Sequence, residues 1–233
     1  MVGVLIQARL GSSRLPGKTM LPLTKDLLVI DAVYQRCKMS SKASKVAFCI
    51  SNSKNDDRLA DYLDSKNIDF VRGSEDNLTL RFYEACNQYK LSSFVRVTAD
   101  NPLVDPWLID SFISFDKELR FIDGYSPKLL PNGTVISRLN KSLLLDIINS
   151  DSNKEELEHI VTSRIAQEES YSFPVKTEFS YPNARYCLDV FEDYLVLLEL
   201  FKDSDILSKS TNEIVKIYDK SEKDNWKYAA QGY

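Results

Sequence analysis

Four apolar runs of strand length, separated by segments of helical period, fill the first hundred residues. Val2–Ala8, Val46–Ile50, Ile68–Val71 and Phe94–Thr98 are the strands. In Leu28–Met39, Val29, Val33 and Cys37 recur at helical spacing, and in Leu78–Tyr89 so do Phe82, Ala85, Cys86 and Tyr89. Between the second and third strands, Asn55-Asp56-Asp57 offers a helix cap and an acidic first turn, followed by the apolar Leu59, Tyr62 and Leu63. A βαβαβαβ order predicts a parallel sheet with helices on both faces, so the expected class is α/β with a mostly parallel central sheet. Ligands of such folds sit outside the carboxyl ends of the strands.

The second half is less regular. Arg120–Tyr125 and Thr134–Arg138 are predicted strands flanking the turn Pro131-Asn132-Gly133. Lys141–Ile148, Glu155–Glu168 and Glu192–Lys202 are predicted helices, and Tyr171–Lys176 and Arg185–Leu188 strands. At 233 residues the expectation is one domain. The expected division is into two halves, residues 1–115 and residues 116–233, with a dimer contact in the second.

The loop after the first strand holds Arg9, Gly11, Ser12, Ser13, Arg14, Gly17 and Lys18, and residues 1–25 contain no acid. Backbone donors, small hydroxyls and fixed positive charge suit a triphosphate. The whole chain carries a formal net charge of −4, so a cationic loop on an acidic body points to a small polyanion rather than to nucleic acid. Gly11 to Thr19 approaches a P-loop, but five residues separate its glycines where a P-loop has four, and Pro22 follows too soon for a helix.

Cys37, Cys49, Cys86 and Cys187 are far apart in apolar stretches, which predicts buried free thiols in a reducing cytosol. His159 is the only histidine, so a transition-metal site is not expected. No apolar run approaches the roughly 20 residues needed to span a bilayer. The opening run is a strand rather than a signal peptide, and a cytoplasmic location is expected.

Chemistry therefore rests on carboxylates, Arg and Lys. Asp100 ends the fourth strand and Asp189 ends Tyr186-Cys187-Leu188. Two strand-end carboxylates beside a cationic loop suit Mg2+ with phosphate oxygens. Asp105 and Asp110 are expected to cap helices instead.

Gln7-Ala8-Arg9-Leu10-Gly11-Ser12-Ser13-Arg14-Leu15-Pro16-Gly17-Lys18 resembles the opening of the cytidylyltransferase family that includes CMP-Kdo synthetase. The resemblance is nearest to the branch named after the spore-coat polysaccharide protein SpsF. Arg72-Gly73-Ser74-Glu75-Asp76 with Arg81-Phe82-Tyr83, and Arg96 through Pro106, are similar to its second motif and its metal motif. Glu158-His159-Ile160-Val161 and Leu188 through Asp193 are similar to later ones. The resemblance implies a three-layer α/β/α fold of the nucleotide-diphosphosugar-transferase type, and transfer of CMP from CTP to an acidic sugar with release of pyrophosphate. It implies that Arg9, Ser12, Ser13, Arg14 and Lys18 cradle the triphosphate, with Gln7, Ala8, Gly11 and Thr98 also binding the nucleotide. Arg72 and Ser74 would lie near the nucleoside, Asp100 and Asp189 would hold Mg2+, and Arg9, Lys18 and Asp100 would carry the catalysis. His159 divides between acceptor binding and helix packing. The branch usually has Gly-x-Asp-x-Glu after its Pro-x-Gly turn; here Val135 and Ser137 replace both acids.

Two alternatives stay open. A nucleotide-sugar-dependent glycosyltransferase can share this sheet, but the one D-x-D, Asp203-Ser204-Asp205, falls in a helix-end loop. A nucleotide-binding protein with lost catalysis would fit the missing acidic pair. A homodimer is expected through the aromatic-rich second half, including Phe173, Phe179, Tyr181 and Trp226.

Overall fold

The computed structural model describes residues 1–125, 128–150, 163–176 and 180–224. Among them, seven strands form one sheet: β1 (Val2–Gln7), β4 (Val46–Ser51), β5 (Phe70–Gly73), β6 (Ser93–Thr98), β7 (Phe121–Asp123), β8 (Ser137–Asn140) and β9 (Ser170–Ser172), in the order β5-β4-β1-β6-β8-β7-β9. Only β8 runs against its neighbours. A separate short hairpin pairs β2 (Pro22–Thr24) with β3 (Leu27–Leu28).

The helices cover both faces because the strands are apolar on both. On one face Val4 and Ile6 of β1 and Val95 and Val97 of β6 pack beneath α1 (Val29–Lys38), α2 (Asp57–Ser65) and α4 (Pro106–Ser114). On the other, Leu5 and Phe94 pack beneath α3 (Leu78–Gln88), α5 (Lys141–Asn149) and α6 (Arg164–Glu168). This is the expected three-layer α/β/α architecture. A third cluster joins the hairpin to α7 (Phe191–Leu200) and α8 (Thr211–Asp224) through Leu23, Leu197, Leu200 and Ile214.

From β1 the chain first builds outward to β4 and β5, then returns to the other side of β1 as β6. The strand order thus reverses between β1 and β6, and a crevice lies at the carboxyl ends of these two parallel strands.

The first half follows the predicted elements closely. The second helix opens with a single 3-10 turn, Lys54–Asp56, capped by Ser53 rather than Asn55. The second half departs further. The predicted strand Thr134–Arg138 forms three residues later, at Ser137–Asn140. The turn before it is as expected: Thr134 N donates to Pro131 O at 3.1 Å, with Gly133 at φ +117°. Tyr171–Lys176 shrinks to β9, although Phe173 N still donates to Asp123 O at 2.8 Å and its ring stacks on Phe112 at 4.1 Å between centroids. Phe173 is thus part of this chain's own core rather than an interface residue. Arg185–Leu188 is extended but joins no ladder; it makes one isolated bridge, Asn132 to Arg185. Its backbone bonds go to loops instead: Tyr186 N to Asn132 O and Leu188 N to Asp100 O, both at 2.8 Å. The apolar alternation that resembles a strand comes from Tyr186 and Leu188 filling the third cluster. Residues 155–162 of the predicted Glu155–Glu168 helix, with His159, Phe179 and Trp226, lie outside the described residues.

Asp105 caps α4 as expected, accepting from Trp107 N and Leu108 N, and also bonds Thr211. Asp110 does not cap its own helix; it accepts from Ser40, Ser41 and Lys42 in the turn after α1. The four cysteines are buried free thiols. Among the described residues no helix is long and apolar enough to cross a membrane.

Candidate active site

The loop after β1 is fixed at both ends. Buried Asp56 accepts from Leu10 N at 2.7 Å and from the Ser51 hydroxyl, tying the loop to the end of β4. Gly17 N closes back on Leu10 O at 3.0 Å. Gly17 then enters a single 3-10 turn, Lys18–Met20, at φ +70°, a conformation glycine adopts without a Cβ penalty. A helix proper begins only at Val29, so the loop is not a P-loop.

A pocket of about 210 Å3 opens over the crevice. It is lined by Gln7, Ala8, Arg9, Ser12, Ser13, Arg14, Lys18 and Thr19 from the first loop, by Thr98, Ala99 and Asp100 from the end of β6, and by Asp189. This volume is below the ~300 Å3 where small-molecule pockets begin and suits a charged tail rather than a whole nucleotide. The Thr19 hydroxyl is buried there without a hydrogen-bond partner.

Lys18 is at the centre. Its side chain is only 12% exposed, and its ammonium donates to Asp100 Oδ2 at 2.7 Å, Leu188 O at 2.6 Å and Asp189 Oδ1 at 3.0 Å. Burial opposes the charge on Lys18, but Asp100 and Asp189 outweigh it and raise the pKa above its ordinary value. Burial also opposes ionisation of Asp189. Lys18, then Arg14 and Arg185, outweigh it and hold the carboxyl below the usual carboxylate range. Arg14 reaches Asp189 at 3.3 Å with a side chain 66% exposed.

Asp189 is aimed by Asp193, whose Oδ2 accepts from Asp189 N at 2.8 Å and Val190 N at 3.1 Å, a capping arrangement at the start of α7. Arg185 clamps Asp193 at 2.8 Å and touches Asp189 at 3.3 Å. Cys187, Asp189 and Asp193 lie close enough together to share an ion. Burial pushes the Cys187 thiol up to about 12, and Asp193 is committed to Arg185 and the backbone, so that trio is poor in available ligands. Asp100, Asp189 and Leu188 O are hard oxygen donors already gathered around one positive charge. They fit Mg2+, with the Lys18 ammonium as the stand-in cation.

Nine sequence-predicted residues meet in this pocket: Gln7, Ala8, Arg9, Ser12, Ser13, Arg14, Lys18, Thr98 and Asp100, joined by the predicted ligand Asp189. Gly11 is in the loop but does not line the pocket. Arg72 and Ser74 do not reach it either. The Arg72 guanidinium bonds Ser51 O, Ser53 O and Asp57. Ser74 accepts from Asn77 N, and its carbonyl accepts from buried Arg81. Thr19, Asp56, Asp193 and Arg185 are additions from the structure; only Asp193 carried a sequence signal, its capping position three residues after Val190.

Solved structures share this fold and are nucleotidyltransferases. A cytidylyltransferase from Leptospira borgpetersenii serovar Hardjo-bovis is similar at a TM-score of 0.87 and 25% identity, covering 100% of this chain and 97% of that one. A CMP:2-keto-3-deoxy-manno-octonic acid synthetase complexed with CTP is similar at 0.65 and 15% identity, covering 87% and 99%. The chain belongs to the cytidylyltransferase family, whose model matches residues 3–180. The spore coat polysaccharide biosynthesis protein SpsF of Bacillus subtilis is 30% identical over 208 residues, 85% of each chain.

Proposed function

We propose that this protein transfers CMP from CTP to an acidic sugar or a related surface-polysaccharide precursor, releasing pyrophosphate, with Mg2+ as its cofactor. The observation that carries this reading is the Lys18 ammonium held between Asp100 and Asp189 under the cationic loop, at the switch point of the sheet. An acceptor oxygen attacks the α-phosphorus. The new O–P bond forms as the bond to the bridging oxygen of pyrophosphate breaks, and an acceptor hydroxyl gives up its proton. Arg9, Arg14 and Lys18 neutralise the phosphates, while the Ser12 and Ser13 hydroxyls and loop N–H groups orient them. Asp100 and Asp189 would hold Mg2+, which supplies charge neutralisation at the leaving pyrophosphate. Lys18 then has two sets of acceptors, the carboxylates and the incoming phosphates.

The homodimer belongs to the same proposal, supported by residues such as Tyr171, exposed at the edge strand β9. Light scattering near the 26.7 kDa monomer mass would count it out. The activity is tested by pyrophosphate release from four nucleoside triphosphates against a panel of acidic and neutral sugars. CTP-selective release with an acid supports the reading. CTP binding without release from any sugar favours the non-catalytic alternative, which Val135 and Ser137 in place of the branch's acids motivate.

A further inference from the structure

Arg96 stands beside the pocket, and among the described residues no acid pairs with its charge. It lies on β6 two residues before Thr98, in register with Leu5 of β1, on the sheet face that Phe94 and Leu5 line lower down. Its Nε and Nη2 take the Gln7 Oε1 at 3.1 and 2.9 Å, and Nη1 takes the Tyr125 hydroxyl at 3.3 Å. All these partners are neutral. Arg72, Arg120 and Arg185 each bond a carboxylate. Buried Arg36, Arg81 and Arg138 donate to two or more backbone carbonyls. Arg96 does neither.

The sheet register explains why. Ser137 on β8 is directly opposite Arg96, too short and without charge; its buried hydroxyl has no hydrogen-bond partner. Asp123, the nearest acid along that row, is one strand further on and accepts from Tyr125 N. A guanidinium has five N–H donors, of which these contacts use three. What remains is a half-buried planar cation with free donors, fixed in place by Gln7 and Tyr125, and Gln7 itself lines the pocket. That fork matches a carboxylate in geometry and charge.

We infer that Arg96 anchors the carboxylate of the acceptor at the rim of the pocket formed by Gln7 and Thr98. The inference rests on the proposed transfer to an acidic sugar and adds the residue that selects the acid. Gln7 and Tyr125 are positioning residues for the guanidinium.

The test uses the full chain loaded with CTP, without added divalent metal, so that nothing turns over. It is titrated calorimetrically with 3-deoxy-D-manno-octulosonate and N-acetylneuraminate, each beside its methyl ester. At least one acid should bind, with its ester roughly ten- to a hundredfold weaker, the loss expected for a charge-assisted contact. Arg96→Gln should bind acid no better than ester while keeping its CTP affinity, and Arg96→Lys should fall between. CTP affinity reports whether each variant is folded, and Arg96→Lys serves if Arg96→Gln is not. Equal binding of acid and ester by the wild type, full acid affinity in Arg96→Gln, or no binding of any probe to a CTP-loaded chain would each overturn the inference. Failure to bind CTP at all would instead sink the proposed function.

Discussion

Lys18 Nζ lies 2.7 Å from Asp100 Oδ2, joining the turn after β1 to the end of β6 across 82 positions of sequence. With Asp189 at 3.0 Å, one ammonium balances two carboxylates drawn from separate segments. Any polyanion entering the pocket would compete with those carboxylates for the same lysine, which would couple its binding to the local charge balance.

Lys18→Met and Arg9→Ala should each weaken CTP binding by roughly ten- to a hundredfold, the loss of a charge-assisted contact. Arg14→Ala should cost less, because its side chain is largely solvated. Calorimetric titration with CTP checks all three. Unchanged affinity in both the Lys18 and Arg9 variants would remove the loop from the nucleotide site.

Asp100→Asn and Asp189→Asn should each abolish metal-dependent turnover and leave a folded chain, since both side chains are partly exposed at the pocket rather than in the core. Pyrophosphate release and thermal melting together decide the point. A lowered melting temperature with near-normal turnover would make these carboxylates structural.

Much of this site was legible because its signals are local. Arg9 to Lys18 is one unbroken segment, and Asp100 follows directly on an apolar strand, so sequence order alone placed them at the sheet's carboxyl edge. Asp189 follows an extended segment clipped to Asn132 and Asp100 rather than a ladder strand. Arg72 is placed near the nucleoside by the resemblance of its motif, and its donors bond the Ser51 and Ser53 carbonyls and Asp57 outside the pocket. Asp56, within the capping stretch Asn55-Asp56-Asp57, is buried and holds the first loop. Such pairings depend on which loops meet above the sheet, and no periodicity encodes that. The second half drifted because its strands are short and its apolar residues serve three clusters rather than one alternating face.

The pH response of the centre follows from its two shifted groups. Asp189 is held low, so its stabilisation is present above the unfolded carboxyl value near ~3.9 and is lost as pH falls through the lower folded value. Lys18 is raised, so its contribution is complete below the unfolded value near ~10.4 and is lost as pH rises through the folded one. Between these limits the stability gap between wild type and Lys18→Met should be flat, narrowing in strong acid and in strong alkali. Melting curves from pH 5 to 11 test this, and a gap that changes across neutrality would contradict the charge states assigned here.

Asp56→Ala removes the acceptor for Leu10 N and for the Ser51 hydroxyl. Losing buried hydrogen bonds of this kind costs about 1–3 kcal/mol. The loop also loses its anchor to β4, so CTP affinity should fall along with stability, although Asp56 does not line the pocket. Asp56→Asn keeps an acceptor oxygen and should recover part of both. A stability loss with wild-type CTP affinity would show that the loop holds its shape without this tie.

Gly133→Ala tests how Asp189 is placed from a distance. Gly133 sits at φ +117°, where side-chain-bearing residues are strained. A Cβ there would lie 2.7 Å from Cys187 N and 2.8 Å from Tyr186 C. Those are backbone atoms of the extended segment that ends at Asp189, and they cannot rotate away as a side chain would. The segment itself is clipped on both sides, by Tyr186 N to Asn132 O and by Leu188 N to Asp100 O. Relief must therefore come from moving residues 185–189 or from breaking the Pro131-Asn132-Gly133 turn. Strain and lost bonds together should cost about 2–4 kcal/mol, a fall of roughly 5–15 °C in melting temperature for a chain of this size. CTP affinity in the presence of Mg2+ should drop as well, because Asp189 is one of the two carboxylates proposed to hold the metal. A variant that melts and binds CTP like the wild type would show that the turn does not set the position of Asp189.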